Sequence, residues 1–154
     1  MSRVAIIAGS TSDGHLIEAV EQMLDTFEIS RETEIISAHR QPDRLREFLD
    51  GAPERGVKVI IAIAGLAAHL PGVTASLTHL PVIGVPADGG PLNGIDALLS
   101  IVQMPGSTPV ATMAIGKHGA KNAGIFAARI LALHNPAIAD KLEEYRKRLA
   151  QGGK

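Results

Sequence analysis

Apolar runs alternate with amphipathic stretches along the whole chain. Val4–Ala8 is a short continuous apolar run, the pattern of a strand buried on both faces. After the polar loop Gly9-Ser10-Thr11-Ser12-Asp13, residues Leu16, Ile17, Val20, Met23, Leu24 and Phe27 recur at helical spacing. Thr33–Ser37 reads as a second strand. Pro42 suits the first turn of a helix whose apolar face is Leu45, Phe48 and Leu49. Val57–Ala64 predicts the third and strongest strand, Val82–Val85 a fourth and Val110–Ile115 a fifth. Between them lie a helix near Ala67–Leu77, interrupted by Pro71-Gly72, and one near Ile95–Gln103. Two further helices, around Lys121–Leu133 and Ala137–Leu149, close the chain. Only the tail Gln151-Gly152-Gly153-Lys154 reads as frayed.

Such alternation predicts a parallel sheet with helices on both faces. Five strands with right-handed crossovers give a three-layer α/β/α, doubly wound, flavodoxin-like fold of strand order 2-1-3-4-5, with an extra C-terminal helix. No repeat or linker divides the 154 residues, so residues 1–154 are read as a single catalytic domain. Aromatic residues are only 3% of the chain, while apolar residues are 45%. The core must therefore be built from Ala, Val, Ile and Leu. A net charge of −1 gives no electrostatic case for nucleic acid or an anionic membrane. The longest apolar run, Val59 to Ala68, is too short to span a bilayer. Absence of Cys removes thiol nucleophiles and thiolate metal sites, and fits a cytoplasmic location.

In an open parallel sheet, ligands sit outside the carboxyl ends of the strands. Four polar or Gly-rich segments are predicted there: Gly9 to Asp13, Ser37-Ala38-His39-Arg40, Gly65-Leu66-Ala67-Ala68-His69, and Pro86-Ala87-Asp88-Gly89-Gly90. In the first, Ser10 can donate to a phosphate, whereas Asp13 suits sugar hydroxyls. The plainer alternative is that Ser12 or Asp13 only caps the following helix. In the second, Arg40 can fork onto an anion and His39 can carry protons near neutral pH. A surface His beside a salt-bridged Arg would look the same. His69, with no charged neighbours, fits either a satisfied buried imidazole or a residue touching substrate. His15, His79, His118 and His134 are weaker candidates. No HxxxH or HExxH pair suggests zinc, and neither GxSxG nor a Lys in an apolar pocket suggests covalent catalysis. Acid–base chemistry by His remains, with Arg, Ser and backbone donors holding an anionic substrate.

The segments GSTSD, SAHRQP, AGLAAHLPG, LPVIGVP, GIDALLSIVQMP, PVATMAIG and GAKNAG occur in this order. Together they resemble the 5-(carboxyamino)imidazole ribonucleotide mutase family, in its bacterial class I form, over about Val4 to Leu133. The resemblance implies an enzyme of purine biosynthesis that moves a carboxylate from the exocyclic nitrogen of an aminoimidazole ribonucleotide to a ring carbon. It also implies no cofactor or metal and a homo-octamer. Carried over by motif, Ser10, Arg40 and Ser37 would hold the phosphate and Asp13 the ribose, with Ser12 and Ala38 beside them. His39 would be the general acid and base. His69, with Leu70 and the backbone of Gly65, Ala67 and Ala68, would shape the pocket around the ring and the moving carboxylate.

Three positions depart from the family pattern: Ala8, Gln41 and Leu66. Of these, Leu66 lies closest to the presumed pocket and stands where a small residue is usual. A related class, the carboxylase that uses free carbon dioxide, usually has Lys in place of Arg40 and lacks the AAHLPG stretch. A non-catalytic nucleotide-binding module of the same fold would have no need of His39. The stretch Asn122 to Leu133 is apolar nearly all round, which predicts burial between subunits and a pocket completed by a neighbour.

Overall fold

A computed structural model describes residues 3–153. One five-stranded, wholly parallel sheet has the order β2-β1-β3-β4-β5. Its strands are β1 (Val4–Ala8), β2 (Arg31–Ile35), β3 (Val59–Ala64), β4 (Val82–Pro86) and β5 (Ala111–Thr112). The helices are α1 (Gly14–Thr26), α2 (Pro42–Asp50), α3 (Leu70–Leu77), α4 (Ile95–Val102), α5 (Lys117–Ala132) and α6 (Pro136–Ala150). A 3-10 turn, Thr11–Asp13, leads into α1. The predicted flavodoxin-like α/β architecture and strand order are those observed.

The period of two along each strand divides the core into two layers. Val4, Ile6 and Ala8 of β1, with Val59, Ile61 and Ile63 of β3, face α1, α5 and α6. Ala5 and Ile7, with Ile60, Ala62 and Ala64, face α2, α3 and α4. With both faces covered, the central strands are buried without a break, which explains why they read as continuous apolar runs.

Several element boundaries differ from the sequence reading. β2 starts two residues earlier than expected, at Arg31, pairing with β1 from Val4↔Arg31 to Ala8↔Ile35. Its charges hid it. As an edge strand it carries Arg31, Glu32 and Glu34, paired respectively with Asp25, with Arg55 at 2.9 Å and with Arg44 at 2.7 Å. β5 shrinks to two residues, although Met113 N–H still donates to the Gly84 carbonyl and Gly116 N–H to that of Pro86. α3 begins at Leu70, so Pro71 does not interrupt it but occupies its first turn, where no N–H is missed. Ala67 and Ala68 therefore belong to the loop.

The predicted tail is tied down over its described part. Gly152 adopts φ +82°, Gly153 N–H donates to Arg148 C=O and Gly152 N–H to Leu149 C=O, the Schellman closure of a helix. Lys154 lies outside the described residues. Among the described residues, no helix is long and apolar enough to cross a membrane.

Candidate active site

The loops after β1, β2 and β3 enclose a cleft of about 490 Å³ at the carboxyl edge of the sheet. Its walls are Gly9, Ser10, Ser12 and Asp13 from the first loop, Ser37 to Arg40 from the second, and Ala64 to Ala67, His69 and Leu70 from the third. Parallel strands in register bring these loops together because every one of them leaves the sheet in the same direction.

In the first loop, the cap is neither Ser12 nor Asp13. Ser10 Oγ accepts from the Ser12 N–H at 3.2 Å and from the Ser12 hydroxyl at 2.9 Å. Both contacts use Ser10 as acceptor, so its O–H proton can still be given to a ligand. Asp13 makes no capping bond to α1 and is buried. Burial raises its pKa above the ordinary 3.8, and the neighbouring Asp88 carboxylate adds to this. His15 and a backbone hydrogen bond from Ser10 oppose the rise.

The second loop builds an anion cradle. Arg40 Nε donates to Ser37 Oγ at 3.2 Å and Arg40 Nη2 to the Gly9 carbonyl at 3.3 Å. These bonds carry the guanidinium across to the first loop, beside Ser10. No acidic side chain is paired with Arg40 among the described contacts, unlike Arg31, Arg44 and Arg55, each held by a carboxylate. Its plain salt-bridge explanation is thereby removed.

His39 and His69 meet across the cleft, a contact the two separate motifs did not disclose. His39 Nε2 and His69 Nδ1 lie 2.8 Å apart, with ring planes at 84°. One ring must donate and the other accept, so a single hydrogen bond joins the pair. Both side chains are exposed, and neither is the satisfied core imidazole that His69 alone could have been.

Every predicted site residue lines the cleft except Ala68, which packs into the core beneath it. Leu66 also lines it. Sequence reasoning passed over His15, whose Nε2 lies 3.4 Å from Asp88 Oδ1 at the first loop's outer side. The two residues are 73 positions apart, and only the shared sheet edge could have joined them.

With this geometry in view, likeness to known proteins becomes informative. A model of the AIR carboxylase family matches residues 3–152. The chain belongs to that family. It is 56% identical over 149 residues to the N5-carboxyaminoimidazole ribonucleotide mutase of Thermotoga maritima, covering 97% of this chain and 86% of that one. The mutase of the same name from Bacillus subtilis is 54% identical over 148 residues, covering 96% and 91%. Among solved structures, PurE of Treponema denticola superposes with a TM-score of 0.88 at 29% identity, covering 99% and 94% of the two chains. As a family member, the chain carries its cleft at the edge where a doubly wound sheet binds its ligands.

Proposed function

We propose that the chain is an N5-carboxyaminoimidazole ribonucleotide mutase of purine biosynthesis, an isomerase. The observation that carries this reading is the cleft itself. An Arg40 guanidinium with no carboxylate partner, three serine hydroxyls, a buried carboxylate and a histidine pair converge there, in a chain more than half identical to relatives of that name. Arg40, Ser37 and Ser10 hold the phosphate, with Ser12 and Ala38 lining the same wall, and Asp13 accepts from the ribose hydroxyls. Gly65, Ala67, His69 and Leu70 bound the end where the ring lies.

His39 moves the protons. A proton passed to the carbamate nitrogen breaks the nitrogen–carbon bond, leaving free amine and carbon dioxide. The electron-rich ring carbon then attacks carbon dioxide and forms the new carbon–carbon bond. Its proton returns to the imidazole, which restores aromaticity and resets the enzyme. One imidazole can serve both steps because the same ring can give a proton and take one back. Holding amine and carbon dioxide together replaces capture of a dilute gas with recombination in place. No step requires a metal or organic cofactor. The enzyme acts in the cytoplasm as a homo-oligomer, an octamer.

His39→Asn is the test. An amide keeps shape and hydrogen bonding but cannot cycle a proton, so turnover falls on the order of a hundredfold while ribonucleotide affinity survives. Near-normal turnover would move the proton-transfer role to His69.

A further inference from the structure

Leu66 combines three properties that a loop residue rarely has together. Its backbone is left-handed, φ 55°, a region that side chains with a Cβ disfavour. The side chain is large and apolar yet 55% exposed. It also lines the cleft beside the histidine pair. The turn holds this conformation through the Leu66 carbonyl, which accepts from Ala68 N–H at 2.9 Å.

The side chain reaches the loop that follows β4. Leu66 Cδ2 lies only 2.5 Å from where a Cβ on Gly90 would stand, so the leucine tip rests against the Gly90 backbone. One step nearer the sheet the same two segments are joined directly, Ala87 N–H donating to the Ala64 carbonyl at 2.9 Å. The seam between the third and fourth loops is thus closed in two places, and the outer closure is an apolar side chain held at a strained position. Strain retained at a site wall points to a task for the side chain that stands there.

We propose that Leu66 seals this seam so that carbon dioxide released in the cleft recombines before it escapes or water replaces it. The proposal rests on the reading that free carbon dioxide is formed within the cleft. Carbon dioxide offers no charge to grip, so an apolar wall retains it better than a hydrogen-bonding one.

The experiment supplies carbamate substrate labelled at the moving carboxylate, in unlabelled carbon dioxide. It reads label retained in the product and free amine released. Leu66→Gly and Leu66→Ala should each raise label loss and amine release roughly tenfold, the low end of what one lost apolar contact costs in selectivity. Leu66→Gly should also raise Tm, because glycine accepts the left-handed backbone, whereas Leu66→Ala should not. Opposite movement of stability and retention is something a merely structural leucine would not give. Unchanged label retention in both variants would overturn the proposal. A separate arm offers the parent enzyme free amine with excess carbon dioxide. Carboxylated product there upholds the free carbon dioxide reading whatever Leu66 does, and its absence overturns that reading and the proposal with it.

Discussion

Asp13 illustrates how one buried carboxylate sets function against stability. It is buried at the foot of the cleft and its pKa is raised, mainly by burial and further by Asp88. A raised folded-state pKa means that the native protein binds this proton more tightly than the unfolded chain does. Stability contributed by the protonated group is present below 3.8 and is lost as pH rises through the raised value. Above that window the ionised carboxylate weighs against folding. Asp13→Asn should therefore melt higher than the parent at neutral pH, with the difference closing in acid. Ribonucleotide affinity should fall by about 1.5–3 kcal/mol, because an amide replaces a charged acceptor. Melting curves across pH with parallel titration calorimetry would check both halves, and a variant less stable at neutral pH would contradict the linkage. At this scale residue types were legible in the sequence: Ser10, Asp13, Arg40 and His69 stood out in their motifs. Their partners did not. The bond from Arg40 to Gly9, the His39–His69 contact and the His15–Asp88 pair all join different loops, and spacing along a chain carries no such information.

Among the elements, the legible ones were those whose pattern comes from burial. β1, β3 and β4 are covered on both faces and announced themselves as apolar runs. β2 and β5 lie at the sheet edges, where pairing and charge complementarity replace apolar burial, and their limits were misplaced. α5 was placed four residues late, because its first turn, Lys117 to Ala120, has no apolar stripe. The packing of α5 on α1 is the most extensive helix contact in the fold and involves Gly124. A Cβ there would stand 2.8 Å from Met23 Cβ and 3.1 Å from the Val20 carbonyl. Neither is the far end of a flexible side chain, so α1 itself must yield. Alanine gains up to about 1 kcal/mol in helix propensity over glycine, but forced overpacking costs about 1–3 kcal/mol. Overpacking wins on this balance. Gly124→Ala should lose about 1 kcal/mol, lowering Tm by roughly 2–4 °C. Gly106→Ala is the control, since nothing lies within 4 Å of its Cβ position and its φ is not positive. Equal melting temperatures for the two variants would show that α1 shifts without cost.

At the scale of the whole molecule, α5 no longer carries the argument for assembly. Gly119, Ala120, Ala123, Gly124, Ala127, Ala128 and Leu131 are buried within the chain, between α1, the sheet and α6. Its all-round apolarity is thus largely internal, with only Phe126 and Leu133 left open. The better argument comes from α4, which the sequence placed near Ile95–Gln103 with no role in assembly. Leu92, Ile95, Leu99 and Val102 recur at intervals of three and four, and each is about half exposed. They form one apolar stripe, of a kind soluble monomers rarely leave open. The inner residues Ala97 and Ile101 already pack on the sheet, so the stripe cannot be satisfied by turning the helix. Leu92, in the turn before α4, stands two residues beyond the Gly90 that meets Leu66. On the homo-oligomer proposed above, a second copy seated on α4 would cover the stripe and wall the side of the site where His39, Arg40 and His69 are exposed. Closed symmetry would then follow, since unsatisfied copies of such a stripe would recruit further chains. Light scattering at micromolar concentration should give a discrete assembly, an octamer on the proposal above. Leu99→Asp, which places a charge mid-stripe without touching the cleft, should yield smaller species with weakened turnover. A folded Leu99→Asp monomer with full activity would show that one subunit holds a complete site, and an unchanged assembly would show that the stripe is not the contact.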